Sequence, residues 1–492
     1  MSLSLSFDIG RSALSTTAEQ SSVVSRNVAS SDDPRATRKS AEVVTSIGGG
    51  IRVSEIRRAV NIALFENLTG ATSVLGAQDA INKGLQEIQS VMGSADLGSS
   101  PTALLGRLRD SLQAFSASPS DVVSAHSVID AASDIAGQLN RLAETVLEVR
   151  SSADVALSRS VTNLNSLLVK FEQVNNDIVA GSALNKDITD LLDHRDGLLV
   201  EMSEEIDIRA LTKPNNDMVI FAAGGVTLFE TVPRTVYMNS MPVLPAGVSG
   251  SAVFIDGIPV TDPSVSAVAA GGRIAGLAAL RDTIAPEFGR QLDEIARGLV
   301  ASFAESDQSA VPALPDQPGL FTFSGASGIP AAGSIVDGIA LAIRVNPNAV
   351  AAQGGDPFRL RDGAISDPLN PAYVYNSSGA AGFTDRINEL IGNFDAALAF
   401  DPAAGLSNSK SLIGYASDSE GAFQLLRSNS ASEFEYKAVL ADRSREALSK
   451  SSGVNLDEEM AELLDLERSY QASSRLLQVV DSMFDSIFAA TR

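Results

Sequence analysis

The sequence contains no cysteine, no tryptophan and only two histidines among its 492 residues. The absence of cysteine excludes disulfide bonds and thiolate metal sites. His126 and His194 are far apart in the sequence, so we expect no zinc site and no other cofactor. Aromatic residues make up only 5% of the chain, which leaves few side chains on which nucleic-acid bases could stack.

Positive charge is also scarce. The 37 lysine and arginine residues are outnumbered by 60 acidic residues, which gives a net charge of −23. Because contacts to phosphates need clustered basic side chains, we expect no nucleic-acid partner and no anionic membrane surface. No segment approaches the roughly 18 uninterrupted apolar residues that mark a membrane span, so membrane insertion is not expected.

Two further kinds of sequence signal are missing. The amino-terminal residues MSLSLSFDIGRSALST carry neither a basic lead nor a continuous apolar block, so we expect no Sec signal peptide. No P-loop, no dinucleotide-binding glycine pattern and no nucleophile-elbow motif occurs either. We therefore predict that the protein is not an enzyme.

The strongest positive signal is the last part of the chain. No proline or glycine interrupts the residues from Leu456 to Arg492. Asn455 is expected to cap a long helix there, because an asparagine at this position accepts from the free N–H groups of the first turn. Apolar side chains recur at helical spacing and predict an interaction seam, which comprises Leu456, Met460, Leu463, Tyr470, Leu477, Phe484 and Phe488.

The amino terminus carries a weaker seam of the same kind. Residues 3 to 29 contain no proline, and apolar or small side chains alternate at spacings of three and four. The apolar members are Leu3, Phe7, Leu14, Val24 and Val28. A lone helix of this type is marginal in water, because ordering each residue costs about 1 to 2 kcal/mol. We therefore expect the two terminal helices to pair.

The carboxyl-terminal run SGVNLDEEMAELLDLERSYQASSRLLQVVDSMFDSIF closely resembles the carboxyl end of the flagellar rod, hook and hook-associated proteins. Within that group it is most similar to the hook-associated proteins of type 1. The residues that carry the motif are Asn455, Leu456, Asp457, Glu458 and Glu459. The resemblance implies that the terminal helices form the inner tube of the flagellar axial structure.

Two other stretches resemble the same family. Asn27 matches its asparagine-rich turn, and Thr37 and Arg38 match the end of that motif, but Ala36 stands where the family carries tyrosine. The second stretch is LLDHRD, whose matching residues are Leu191, Leu192, Asp193, Arg195 and Asp196. We interpret the charged side chains of LLDHRD as a solvent-exposed face of ion pairs that fixes a bend between helices.

The apolar pattern in the middle of the chain predicts a rod. A seam of apolar side chains continues from about residue 122 to residue 180, which at about 1.5 Å per residue gives a helix roughly 85 Å long. From Ile206 to Asp262 short β-rich runs broken by glycine and proline predict hairpins. A helix with Leu280, Arg281 and Asp282, which match a Leu-Arg-Asp sequence of the family, follows them.

We predict an α+β fold that is an elongated, mostly helical rod with paired terminal helices and a small β-hairpin region. Residues 1–40 and 454–492 would form the terminal domain, and residues 41–204, 272–305 and 380–453 the rod. Residues 205–271 would form the hairpin element. Residues 306–379 are rich in proline and glycine, with one or two strands in GSIVDGIALAIRVNP. Family relatives often insert an outer β-domain there, and we expect it to be absent or vestigial.

The resemblance implies a structural subunit of the bacterial flagellum that polymerises and joins hook to filament outside the cell. The implied partners are copies of itself, the hook protein, a second hook-associated junction protein and an export chaperone. The implied export route is the flagellar apparatus. Two alternatives stay open: another axial protein, such as the type 3 junction protein, hook protein or flagellin, and a secreted coiled-coil adhesin or effector.

Overall fold

The computed structural model describes residues 3–46, 49–93, 98–262, 271–325 and 328–490. Within them the helices are α1 (Leu3–Ala29), α2 (Ile62–Met92), α3 (Pro101–Ala117), α4 (Val122–Ala183), α5 (Thr189–Glu205), α6 (Gly272–Ala279), α7 (Ala285–Ser302), α8 (Ile339–Ala342), α9 (Arg359–Asp362), α10 (Asp385–Asp395), α11 (Leu412–Ser452) and α12 (Leu456–Ala490).

The strands are β1 (Lys39–Thr45), β2 (Ile51–Arg58), β3 (Ile208–Thr212), β4 (Met218–Ala222), β5 (Thr227–Glu230), β6 (Val232–Pro233), β7 (Val236–Tyr237), β8 (Phe254–Ile255), β9 (Ile258–Pro259), β10 (Phe321–Phe323), β11 (Ile343–Val345), β12 (Leu398–Ala399) and β13 (Ser409–Lys410). In the described part of the chain they form antiparallel sheets with the orders β1-β2, β3-β4-β5-β6, β7-β8-β9, β10-β11 and β12-β13.

The long helix α4 is the axis of the molecule. It has 62 residues, begins at an Asp121 cap whose carboxylate accepts from the N–H groups of Val123 and Ser124, and is about 93 Å long. The prediction of a helix from 122 to about 180 is therefore confirmed. Its apolar stripe is buried along its length, because α2, α3, α5, α6 and α7 all pack against it.

The return helix is interrupted just before its proline. A π-helical turn from Leu280 to Ile284 separates α6 from α7, and Pro286 lies in the first turn of α7. The backbone stays helical through Ile284 and Ala285, so Pro286 lies inside a continuous helix. Because proline has no N–H, a carbonyl in the preceding turn lacks its usual helical partner, and the irregular turn lies at that place.

The β-rich middle of the chain is confirmed as hairpins. The run DMVIFAAGGVTLFE contains β4 and β5, and SAVFIDGIPVTD contains β8 and β9. Residues 263–270 of the predicted hairpin element lie outside the described residues.

Residues 306–379 differ in detail from the prediction. GSIVDGIALAIRVNP contains one strand, β11, which agrees with the predicted one or two strands, and the helical turn α8, which was not predicted, precedes it. Ile339 and Ala340 are buried in this turn, where Asp293 accepts from the N–H groups of Gly338 and Ala340. In the described part of this segment β-structure is limited to β10, β11 and two isolated bridges, one between Gln317 and Glu305 and one between Gly363 and Val374. The prediction of an elongated α+β fold with a vestigial outer β-domain is confirmed.

The terminal helices α1 and α12 lie side by side, and β1 and β2 form a hairpin along α1. The hairpin is fixed by Thr16, whose hydroxyl donates to the Ile51 carbonyl at 2.9 Å, and by Ser12, whose hydroxyl accepts from the Ile51 N–H at 3.2 Å. After the hairpin, Asn61 caps α2, which begins at Ile62.

Of the helices that can be described, none is both long enough and apolar enough for a membrane crossing.

Candidate assembly site

The paired helices α1 and α12, hereafter the terminal pair, are antiparallel. Phe7 meets Phe484 edge to face with ring centroids 6.5 Å apart, and Asn27, near the other end of α1, hydrogen-bonds Glu459 at 2.8 Å. Asn455 caps α12 as predicted, because its side-chain oxygen accepts from the Asp457 N–H at 3.1 Å. The predicted pairing of the two ends therefore occurs within one chain.

The two helices approach each other closely at Gly10. A Cβ atom on Gly10 would lie 2.8 Å from the Leu477 Cδ2 atom and 3.2 Å from the Leu476 Cδ2 atom. We expect Gly10→Leu to lower the free energy of unfolding of the terminal pair by about 1 to 3 kcal/mol, because the added atoms overpack the contact.

Gly421 supplies the matched control for this substitution. It lies in α11 with open space around the position of its missing Cβ atom. Gly421→Leu should leave stability unchanged or raise it by up to about 1 kcal/mol, because leucine favours a helix more than glycine does. Thermal unfolding followed by circular dichroism would compare the two variants. Equal effects would contradict the close approach.

The predicted seam of α12 is divided between this contact and the surface. At about 100° per residue, Leu463, Leu477 and Phe484 lie on the side that faces α1, and all three are half-buried. Leu456, Met460, Tyr470 and Phe488 are exposed, with 44% to 66% of their surface accessible. On α1, Val24 is buried, Leu3, Leu14 and Val28 are half-buried and Phe7 is 36% exposed.

The exposed apolar side chains of α12 form two separate flanks. The proximal flank consists of Leu456, Met460 and Leu464, which are 44% to 53% exposed. The distal flank consists of Leu476, Val479 and Met483, which are 48% to 53% exposed. By helical geometry the flanks lie roughly 110° to either side of the stripe that faces α1. The apolar spacing predicted one seam, whereas the structure has one stripe covered by α1 and two exposed flanks.

The terminal pair meets the rod at residues 37–39, hereafter the crossing segment. Fully buried Asn27 donates to the Lys39 carbonyl and to Glu459, both at 2.8 Å, and its oxygen accepts from the Lys39 N–H at 3.1 Å. Arg38 donates to Glu459 at 2.7 Å and to Glu462 at 2.9 Å. The hydrogen bond to Glu459 raises the pKa of Arg38 above its ordinary value. Asn27 thus has a definite role, which is to join α1, β1 and α12.

The LLDHRD stretch of α5 holds the other side of the crossing segment. Asp193 accepts from the Thr37 hydroxyl at 2.6 Å and from the Thr37 N–H at 3.3 Å, and it also pairs with Arg58 at 3.1 Å. Arg58 reaches Asp196 at 2.6 Å, and Lys39 contacts Asp190 and Asp193. Burial raises the pKa of Asp196, although the positive charge of Arg58 opposes the shift.

Arg195 points instead into the rod. It donates to the Asn175 side chain of α4 at 3.1 Å and to the Asn216 carbonyl in the β3–β4 turn at 2.6 Å. Burial lowers its pKa to about 10. Leu191 and Leu192 are half-buried against the core.

The interpretation of LLDHRD as a solvent-exposed ion-pair face is therefore wrong for Asp193 and Arg195. Asp193 is 7% exposed and Arg195 is 2% exposed. Within LLDHRD only His194 is exposed, and Asp190, which directly precedes the stretch, is exposed as well. The charged side chains are buried because each has a partner on another element, which offsets the loss of hydration.

The site brings together motif residues that are hundreds of positions apart in the sequence, and it suits mechanical joining rather than chemistry. In the part of the chain that the structure describes, no group of three or more histidine, cysteine, aspartate or glutamate residues is placed to hold a metal ion. Sequence analysis did not identify Lys39 and Arg58 as residues of this site. Their one signal was the unusual concentration of basic residues in an acidic chain between Arg35 and Arg58.

Comparisons with known proteins identify the family. Residues 85–321 match the family described as the helical domain of the flagellar hook-associated protein FlgK. Residues 447–489 match the carboxyl-terminal family of the flagellar basal body rod FlgEFG proteins. Flagellar hook-associated protein 1 of Bacillus subtilis is 22% identical over 475 residues, which cover 92% of this chain and 88% of that protein. The chain belongs to the flagellar hook-associated protein 1 family.

Other relatives match over shorter lengths. Flagellar hook-associated protein 1 of Salmonella typhimurium is 22% identical over 186 residues, which cover 37% of this chain and 33% of the relative. Among solved structures, the flagellar hook junction protein FlgK from Burkholderia pseudomallei is similar with a TM-score of 0.43 and 20% identity. That similarity covers 53% of this chain and 47% of the solved one.

The matched segments of this hook-associated protein coincide with the rod and with the terminal pair. The match over 85–321 includes all of α4 and α5, and therefore Asp193 and Arg195. The match over 447–489 runs from the last turn of α11 through almost all of α12, and it contains Glu459 and both flanks.

Proposed function

We propose that this hook-associated protein is a non-enzymatic structural subunit at the hook–filament junction of the bacterial flagellum, and that copies polymerise through the flanks of α12. The observation that carries the proposal is the division of α12 into a stripe covered by α1 and two uncovered apolar flanks. Burying such side chains between copies contributes roughly 1.5 to 3 kcal/mol each.

The placement of the flanks supports a repeating contact. If one flank meets the left neighbour and the other meets the right neighbour, each contact joins two different surfaces. Contacts of this heterologous kind generate rings or helical layers rather than closed dimers. A subunit that joins two axial structures needs such an array.

The partners in this proposal are copies of the chain, the hook protein and a second hook-associated junction protein. An export chaperone would cover the flanks before assembly, and export would use the flagellar apparatus without a Sec signal peptide. The division into a terminal domain of residues 1–40 and 454–492, a rod, a hairpin element and the 306–379 segment also belongs to the proposal. The β1–β2 hairpin lies against α1 and would move with the terminal domain.

Two observations weigh against the other candidates. The match of residues 85–321 to the hook-associated helical domain favours this protein class over hook protein and flagellin. A secreted coiled-coil adhesin would be expected to bury its apolar seams in a stable soluble oligomer, whereas α12 presents different apolar flanks to two sides.

The decisive experiment places charge on one flank without touching the α1 contact. Val479→Asp with Met483→Asp alters the distal flank, and Gln478→Asp with Ser482→Asp adds the same charge to exposed polar positions one residue away. We expect both proteins to unfold at the wild-type temperature. In a strain that lacks the native gene, only the flank variant should fail to swim, because the charges would be buried between copies.

Electron microscopy of the same strains measures assembly directly. The flank variant should be exported but leave hooks without filaments, and the control variant should restore filaments. Met460→Asp on the proximal flank, with Ala461→Asp as its control, should give the same result. Normal swimming of both flank variants would refute polymerisation through α12.

A further inference from the structure

The rod contains an apolar cavity where it meets the terminal pair. The cavity has a volume of about 270 Å³, and its walls include Ala36, Val60, Phe65, Leu68, Val200 and Leu448. Arg35 and Arg445 lie among its lining residues, and both side chains are more than half exposed. Apolar cavities of about 150 Å³ already admit a benzene ring, so this cavity can accept an aromatic side chain.

Tyr436 is an exposed aromatic side chain on the same rod. It is 65% exposed on α11, in an outward stripe with Leu425, Val439 and Leu440. Tyr237, an exposed aromatic residue of the hairpin element, stacks on Phe254 with centroids 5.3 Å apart. Tyr436 is therefore an exposed aromatic ring on α11 with exposed aliphatic side chains around it.

Tyr436 points away from the cavity of its own chain. Arg445 and Leu448, which line the cavity, belong to the same helix. At about 100° per residue they lie roughly 180° and 120° around α11 from Tyr436. The Tyr436 ring and the cavity therefore lie on opposite faces of α11, and the cavity residues Arg445 to Ser452 lie about 13 to 24 Å further along the helix axis.

We infer that Tyr436 of one copy enters the Ala36 cavity of the adjacent copy. The inference rests on the proposed function, and it adds a second lateral contact, between rods, to the contact between terminal helices. Identical copies side by side in a helical layer bring different faces of the rod together with an offset along the axis, as this pair of surfaces needs. A knob and a cavity on opposite sides are the geometry that a heterologous contact requires.

The chemistry of the two surfaces is complementary. The Tyr436 ring would contact Val60, Phe65 and Leu448, while its hydroxyl would have polar neighbours in Asn61 and Ser449, which also line the cavity. An aromatic ring with a polar tip suits such a site. Glu433, one turn from Tyr436 and 58% exposed at its side chain, would approach the Arg35 and Arg445 guanidinium groups of the neighbour.

The test is photocrosslinking in assembled flagella. A benzophenone amino acid at position 436 keeps an aromatic ring there, and the same amino acid at Leu369, which is 92% exposed, serves as the control. We expect position 436, and not position 369, to give a dimer band whose cross-linked peptide contains Ala36 or Leu448. Crosslinks to other peptides, or crosslinks within the single exported chain, would overturn the inference.

A second variant tests the cavity without changing Tyr436. Ala36→Trp should fill the cavity and keep the unfolding temperature at or above that of the wild type, because the indole buries apolar surface there, yet it should reduce the swimming zone towards that of the deletion strain. Such an unfolding temperature with normal swimming would mean that the cavity has no partner. If position 436 gives no dimer while the flank variants of α12 still abolish assembly, only this inference fails and the proposed function stands.

Discussion

Asp193→Ala is expected to lower the free energy of unfolding by about 3 kcal/mol. Asp193 is 7% exposed and accepts from Thr37 and Arg58, and it also lies 3.4 Å from the ammonium group of Lys39. Lys39 and Arg58 are themselves buried or nearly so. Without this carboxylate, Lys39 and Arg58 would each lose one neutralising negative charge, and the Thr37 hydroxyl would lose its acceptor. Urea unfolding would measure the loss.

Asp190→Ala supplies the control for Asp193. Asp190 lies on the same helix and also contacts Lys39, but its side chain is 69% exposed, so its loss should cost less than about 1 kcal/mol. Hydrogen exchange would locate the effect. In Asp193→Ala, exchange should accelerate in α1, α12 and the β1–β2 hairpin while α4 stays protected. Equal effects of the two substitutions would contradict the role given to the crossing segment.

Arg281→Met is expected to cost about 3 to 5 kcal/mol, because a buried ion pair loses one partner. The Arg281 side chain is fully buried and donates to Asp154 at 2.5 Å, to Asp282 at 2.7 Å and to the Ser251 carbonyl at 2.8 Å. Asp154 is equally buried and would keep only its hydrogen bonds from Ser240 and the Met241 N–H, both at 2.7 Å.

An exposed pair supplies the control for Arg281. Arg107 pairs with Asp134 at 2.9 Å with both side chains more than half exposed, so Arg107→Met should change stability by less than about 1 kcal/mol. Adding Asp154→Asn to Arg281→Met should recover part of the loss, and the double-mutant cycle gives the coupling between the two residues. A cost below 1 kcal/mol for Arg281→Met alone would contradict the importance of this pair.

The long helices were predictable because their apolar spacing is local information. The seam of α4 and the cap at Asn455 can be read from residues close together in sequence, and the structure confirms both. The break at Gly453 between α11 and α12 follows from the same kind of signal. Repeated over many turns, a periodic pattern leaves few alternative structures.

The crossing segment was not predictable because its contacts join distant positions. Asn27 and Glu459 are separated by 432 residues, and Arg38 and Glu462 by 424. Nothing near Asp193 in the sequence indicates that Thr37 and Arg58 would bury it. Strand β1 was missed for a related reason, since it has only one buried residue and depends on its pairing with β2.

The terminal pair has a consequence for the order of folding. Because α1 and α12 come from opposite ends of the sequence, the contact between Phe7 and Phe484 closes only after nearly all of the chain is present. Contacts of such long sequence separation form late and carry the largest loop-closure cost. A truncated subunit would therefore lack the terminal pair. Because the contact needs both ends of the sequence, only a complete molecule can form it before joining its neighbours.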